Sequence, residues 1–145
     1  MRDVVTAVAT FLKADAGVQA FISDGLPSPG YRVFRHELPE SEAQSMPRPC
    51  IVVRKIPGIG GARGRVELER GVLQITCYGE QPQQAEELRG VVREARKYAQ
   101  REVIGGTLIH GLDPSTSPNP GRDGEARWPF MDELYEFLAS EIEVV

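Results

Sequence analysis

The sequence predicts a single α+β domain over residues 1–145, on three observations. Apolar residues recur at helical spacing in two separate stretches, 4–12 and 85–99. Between them, two runs rich in β-branched residues flank a glycine-dense segment, the pattern of a long β-hairpin. With 41% hydrophobic and 26% charged residues, a chain of 145 residues has the makeup to bury one core.

Asp3 is placed to cap a first helix whose Val4, Val8, Phe11 and Leu12 share one face. Residues 15–17 interrupt it, Val18, Phe21 and Ile22 add a turn or two, and Gly25, Pro27, Pro29 and Gly30 enforce a loop. Full burial of Phe11 or Phe21 contributes about 1.5–3 kcal/mol each, enough to decide where this helix docks. Residues 31–38 alternate weakly and predict a short strand, after which Pro39, Pro47 and Pro49 keep the chain out of helix. CIVV at 50–53, continuing to Ile56, predicts a strand covered on one or both faces.

PGIGGARG at 57–64 spaces Gly58, Gly60 and Gly64 as GxGxxxG. A phosphate-cradling loop needs glycines that lead into a helix N-terminus, or a following GK[ST]. Here strand-like RVELERGVLQITCY follows, so the spacing argues for a hairpin tip near Gly60 and Gly61. Facing residues then have numbers summing to the low or middle 120s. That puts Cys50 and Cys77 on adjacent strands and near each other, unless Gly71 bulges the register; whether they pair is left open.

Pro82 suits the first position of the second helix, whose stripe is Ala85, Leu88, Val92, Ala95 and Ala99. Its charges, among them Arg89, Arg93 and Arg96 against Glu86, Glu87 and Glu94, balance into a mixed solvated face. Gly105 and Gly106 end that region, TLIHGL at 107–112 reads as a short strand, and 113–124 reads as a proline-bearing loop. In the last stretch, Met131, Leu134, Tyr135, Leu138 and Ile142 fit a helix by spacing.

Net charge is −4, from 17 Lys and Arg against 21 Asp and Glu, which lacks the basic excess of a general nucleic-acid binder. The balance is uneven along the chain. Residues 54–70 carry five bases and two acids, whereas 123–145 carry seven acids and one base. Complementary patches on one chain suit head-to-tail self-association. No apolar run reaches about 18 residues, and the N-terminus lacks the pattern of a secretory leader, so no membrane contact is expected.

Chemical signatures are sparse. His36, His110, Cys50 and Cys77 are the only soft ligands, with no CxxC, HxxxH or HxxEH spacing, and no metal site is expected. Both cysteines lie in apolar runs, as buried inert thiols do. There is no GxSxG elbow, while a Cys77–His110 nucleophile pair is neither favoured nor ruled out by spacing.

Taken in order, DVVTAVATFLKADAGVQAFI, MPRPCIVVRK, VLQITCYGEQPQQAEELRGVVREA and a late IHGL followed by WPFMDELYEF resemble the tail terminator (tail completion, or minor tail) proteins of long non-contractile-tailed phages and gene transfer agents. The similarity runs over nearly the whole chain. It is most specific where a strand ending in CYG meets a helix opening with xPxxAExL.

The resemblance implies a two-layer domain, with helices on one face of a mixed, mostly antiparallel sheet. It also implies a homohexameric virion ring, assembled in the host cytoplasm, that caps the head-proximal end of the tail tube. Such a ring stops tube polymerisation and presents a surface to the neck or head-completion protein. No catalytic residue or cofactor is implied. In that family the WP segment leads into a strand, and Tyr135 sits where the strand carries an aromatic. The resemblance therefore favours strand over 131–142, against the helical spacing.

DNA passing through a ring favours an acidic or neutral lumen. Glu133, Glu136, Glu141 and Glu143 are accordingly expected at the lumen or one ring face, and Arg63, Arg65 and Arg70 at a contact with a neighbouring subunit or the tube. The alternatives are a neck or head-completion connector ring and, from a different class, a small ligand-binding module or enzyme.

Overall fold

The computed structural model describes residues 3–22, 32–40, 48–57, 61–63, 68–123 and 127–141. Helix α1 (Val4–Ala14) is capped by Asp3, whose Oδ1 accepts the Val5 N–H at 3.0 Å. Asp15 ends it and also starts α2 (Ala16–Ile22), because its Oδ2 accepts the Val18 N–H at 3.0 Å. The interruption expected at residues 15–17 is thus a cap, and it turns the chain by 75°. Among the described residues no single helix is long and apolar enough to cross a membrane.

One mixed sheet follows, of strands β1 (Val33–Arg35), β2 (Cys50–Lys55), β3 (Gly61–Arg63), β4 (Leu68–Tyr78), β5 (Val103–Ile104), β6 (Thr107–Pro114), β7 (Asn119–Asp123) and β8 (Trp128–Glu141). Its order is β1-β2-β4-β8-β6-β5, with β3 added to β4 and β7 to β8. Among the described residues only β1 and β2 pair in parallel. The long strands β4 and β8 pair along eleven positions and form the spine of the sheet. Gly105 and Gly106, both at positive φ, form the two-residue turn between β5 and β6, where that conformation is required.

Helix α3 (Pro82–Ala95) continues into a 3₁₀ turn at Arg96–Tyr98. Its whole expected stripe, Ala85, Leu88, Val92, Ala95 and Ala99, is buried. With α1 and α2 it covers one sheet face, formed by Ile51, Val53, Leu73, Ile75, Cys77, Ile109, Leu112, Tyr135, Phe137 and Ala139. This is the expected two-layer α+β architecture, with helices on one face of a mostly antiparallel sheet.

Two local expectations are corrected, and the open question of a bulge at Gly71 is answered. The hairpin is not centred at Gly60 and Gly61: Ile51 opposes Cys77, and Gly61 is a strand residue opposite Arg70. The glycine-dense stretch separates two ladders of different register within the hairpin arm. Gly71 introduces no bulge, since it pairs in unbroken register with Phe137; the irregularity lies in β6 between Ile109 and Gly111. Finally, the loop expected at 113–124 contains β7, which pairs with the start of β8 and keeps Pro120 on an edge strand.

Residues 131–142 follow the strand alternative, within β8 up to Glu141, with Ile142 outside the described residues. Their helical spacing misleads because β8 is apolar on both faces. Tyr135, Phe137 and Ala139 meet the helices, while Leu134 and Leu138 lie on the opposite face.

Candidate functional site

The sheet has a second face, opposite the one that α1, α2 and α3 cover. There Cys50, Val52 and Tyr78 form a second small core with Phe34, Leu38, Trp128 and Phe130, and the Tyr78 and Phe130 rings lie 5.9 Å apart. Next to it the face becomes polar, where Thr76 Oγ1 donates to Asp132 Oδ1 at 2.5 Å across paired strands. Beyond that lies a cleft of about 530 Å³ between β4, β8 and β6, lined by Arg70, Val72, His110, Asp113, Glu136 and Leu138.

The register explains this grouping. Val72 and Asp113 both oppose Glu136, and Arg70 and Gly111 both oppose Leu138, so all these positions share one face. The β6 irregularity beside Gly111 helps to re-aim the strand, and His110 Nε2 lies 2.8 Å from Ser140 Oγ. At the outer edge of β6, Arg96 Nη1 and Gln100 Nε2 both donate to the Leu112 carbonyl, at 3.0 and 2.9 Å. Side chains thereby satisfy an edge that would otherwise be free to pair.

On the opposite face a buried ionic cluster ties α3 to the sheet. Glu133 is 1% exposed. Its Oε1 accepts the Tyr135 hydroxyl at 2.5 Å, and its Oε2 lies 3.6 Å from Arg89 Nη1 and 3.8 Å from Arg93 Nη1. Arg89 also donates to Glu86 at 2.5 Å, and that hydrogen bond above all raises its pKa. Burial, then the hydrogen bond to Glu133, holds the Tyr135 phenol above its ordinary range. Burial, then the neighbouring Cys50, does the same to the Cys77 thiol.

These positions reassign the expected site residues. Glu133 is part of the core and not of a surface. Glu136 is exposed and shares its cleft with Arg70, so two residues that the sequence assigns to separate patches are brought together. Glu141 lies at the far end of β8, opposite Thr107. Arg63 occupies β3 opposite Leu68, while Arg65 and Glu143 fall outside the described residues. The cleft itself was missed in the sequence, although the alternation of Val72 with Leu73 and of Glu136 with Phe137 carries it once the strands are known.

Cys50 and Cys77 form no disulfide and lie on adjacent strands, yet they belong to different cores on opposite faces. A Cys77–His110 pair is not formed, because Cys77 faces the helices and His110 reaches Ser140 on the other side. Among the described residues, no three of His, Cys, Asp and Glu are grouped to hold a metal ion.

The folded protein is accordingly expected to be inert to a disulfide thiol reagent until denatured, with two thiols then reacting. Because the fold keeps Cys77 and Tyr135 protonated, the unfolded chain loses those protons first. Stability should be unaffected by them up to about pH 8.5 and fall as pH rises beyond it. A thiol count on the native protein and urea titrations at pH 7.5 and 10 check both points.

No protein-family model matches this chain, and no curated protein does. Its fold is similar to that of a chain in a solved structure of the virion of a native gene transfer agent particle, with a TM-score of 0.66 over 94% of each chain and 14% identity. At that identity the likeness is one of fold.

Proposed function

We propose that this chain is a structural virion subunit without a catalytic role. It forms a homohexameric ring at the head-proximal end of a tail tube, ends tube polymerisation there and offers a surface to the neck or head-completion protein. The observation that carries this reading is the fold shared over 94% of both chains with a protein of a gene transfer agent virion. The motifs around CYG and xPxxAExL support the finer assignment to the tail end.

In this reading Arg63, Arg65 and Arg70 contact a neighbouring subunit or the tube. Glu141 and Glu143 face the lumen or one end of the ring, where like charge lets DNA pass without binding. Glu136, beside Arg70 in the cleft, belongs with the contact surface. Glu133 has no part in either.

Light scattering is expected to give a mass near six chains, and electron microscopy annular particles. The Arg63→Glu, Arg65→Glu double variant is expected to keep the fold and lose ring formation or tail attachment. Retention of both would remove the hairpin from the contact. A connector ring would give the same mass, and only its place in an assembled particle separates the two readings.

A further inference from the structure

Among the described residues two large apolar side chains stand in solvent, Tyr98 at 73% and Val103 at 51% exposure. Both lie on the connector between α3 and β6. This connector is anchored. Arg96 and Gln100 hold the Leu112 carbonyl on β6, the Arg101 N–H donates to Ile109 O at 2.6 Å, and the Ala99 N–H donates to Arg96 O at 3.1 Å. An aromatic side chain on a fixed support loses little freedom when it is covered, which is the circumstance in which tyrosine contributes most to an interface.

The cleft on the other side of the sheet has matching chemistry. Val72 and Leu138 give it apolar walls, and its acidic groups are Glu136, exposed beside Arg70, and Asp113, whose carboxylate already accepts from Arg96 and Gln100 of the same copy at 3.2 Å. Beside Tyr98, Lys97 is engaged by Glu94 at 3.1 Å, and the neighbouring Arg101 is an exposed cation.

We infer that Tyr98 of one copy seats in the β4–β8–β6 cleft of the next copy, with Arg101 facing Glu136. Tyr98 stands in solvent and is not among the residues lining its own copy's cleft. Each copy offers one projection and one recess. Such a contact is head-to-tail, and it closes into a ring where the rotation permits. The inference rests on the self-assembly proposed for this chain and supplies the contact for it.

The test is light scattering over a concentration series on wild type, Tyr98→Ser, Arg101→Glu and Glu136→Lys, each with a thermal melt to confirm that the fold is kept. Each of the three altered side chains is exposed in the subunit, so the melts should match wild type. Tyr98→Ser is expected to weaken association at least about thirtyfold. Mixing Tyr98→Ser, which keeps an intact cleft, with Glu136→Lys, which keeps an intact projection, should give two-chain species at equal stoichiometry. Arg101→Glu combined with Glu136→Arg in one chain should restore assembly. Assembled wild type with equally assembled Tyr98→Ser overturns this contact and leaves the ring reading standing. Wild type that stays a single chain throughout removes the ring reading, and the contact with it. Variants that assemble normally but fail to join tail tubes assign Tyr98 to another protein, which also overturns the inference.

Discussion

Replacing Glu133 with alanine is expected to lower the unfolding free energy by about 3–5 kcal/mol, read as a shift in the urea midpoint at unchanged slope. Three groups from two layers converge on this carboxylate: the Tyr135 hydroxyl from its own strand, and Arg89 and Arg93 from α3. Removing it leaves a buried hydroxyl without its acceptor and takes from Arg89 one of its two anions, the other being Glu86. The cost comes from what is left behind, since a buried polar group stripped of its partner bears its full desolvation penalty.

Glu133→Gln keeps an acceptor for Tyr135 and gives up only the charge, so its loss should be smaller. Glu136→Ala, on the exposed side of the same strand, should stay within about 0.5 kcal/mol. A loss below about 1 kcal/mol for Glu133→Ala would mean that the carboxylate does not hold α3 to the sheet.

Those two glutamates, three residues apart, show what the sequence could and could not display. Both read as members of one acidic segment, because a count of charges along the chain carries no information about facing. Strand geometry sends them to opposite faces, one into the core and one into the cleft. The α3 stripe was legible in full because its period is local and its five apolar positions pack as spaced.

β8 was not legible from periodicity, since a strand apolar on both faces mimics helical spacing at Leu134, Tyr135 and Leu138. Only the resemblance of WPFMDELYEF chose correctly there. The hairpin was legible as an element but not in register. Glycine density marks where a backbone can depart from a regular ladder, and here β2 and β3, on either side of it, pair with β4 in different registers. The cleft depends on β4, β8 and β6 meeting in one register, and those strands lie far apart in the chain.

The motif that carried the resemblance best has a physical basis, and it gives the second large effect. Gly79 directly follows β4, and its N–H donates to Pro129 O at 3.2 Å. A Cβ there would lie 2.6 Å from the Ala85 nitrogen and 3.0 Å from the Gln84 carbonyl carbon, both of them backbone atoms in the first turns of α3. That end of the helix cannot retreat cheaply: Ala85 and Leu88 are fully buried beneath it, and lifting them would expose apolar surface. Gly79→Ala is therefore expected to destabilise the protein by about 1–3 kcal/mol, with Gly79→Val worse. Gly90, in the interior of the same helix, makes the opposite case. Its Cβ would meet nothing within 4 Å, so Gly90→Ala should stabilise by about 0.5–1 kcal/mol through helix propensity alone. Urea titration of the two variants in parallel decides the matter. If both move stability the same way, close approach of strand and helix backbones is not what requires glycine after Tyr78.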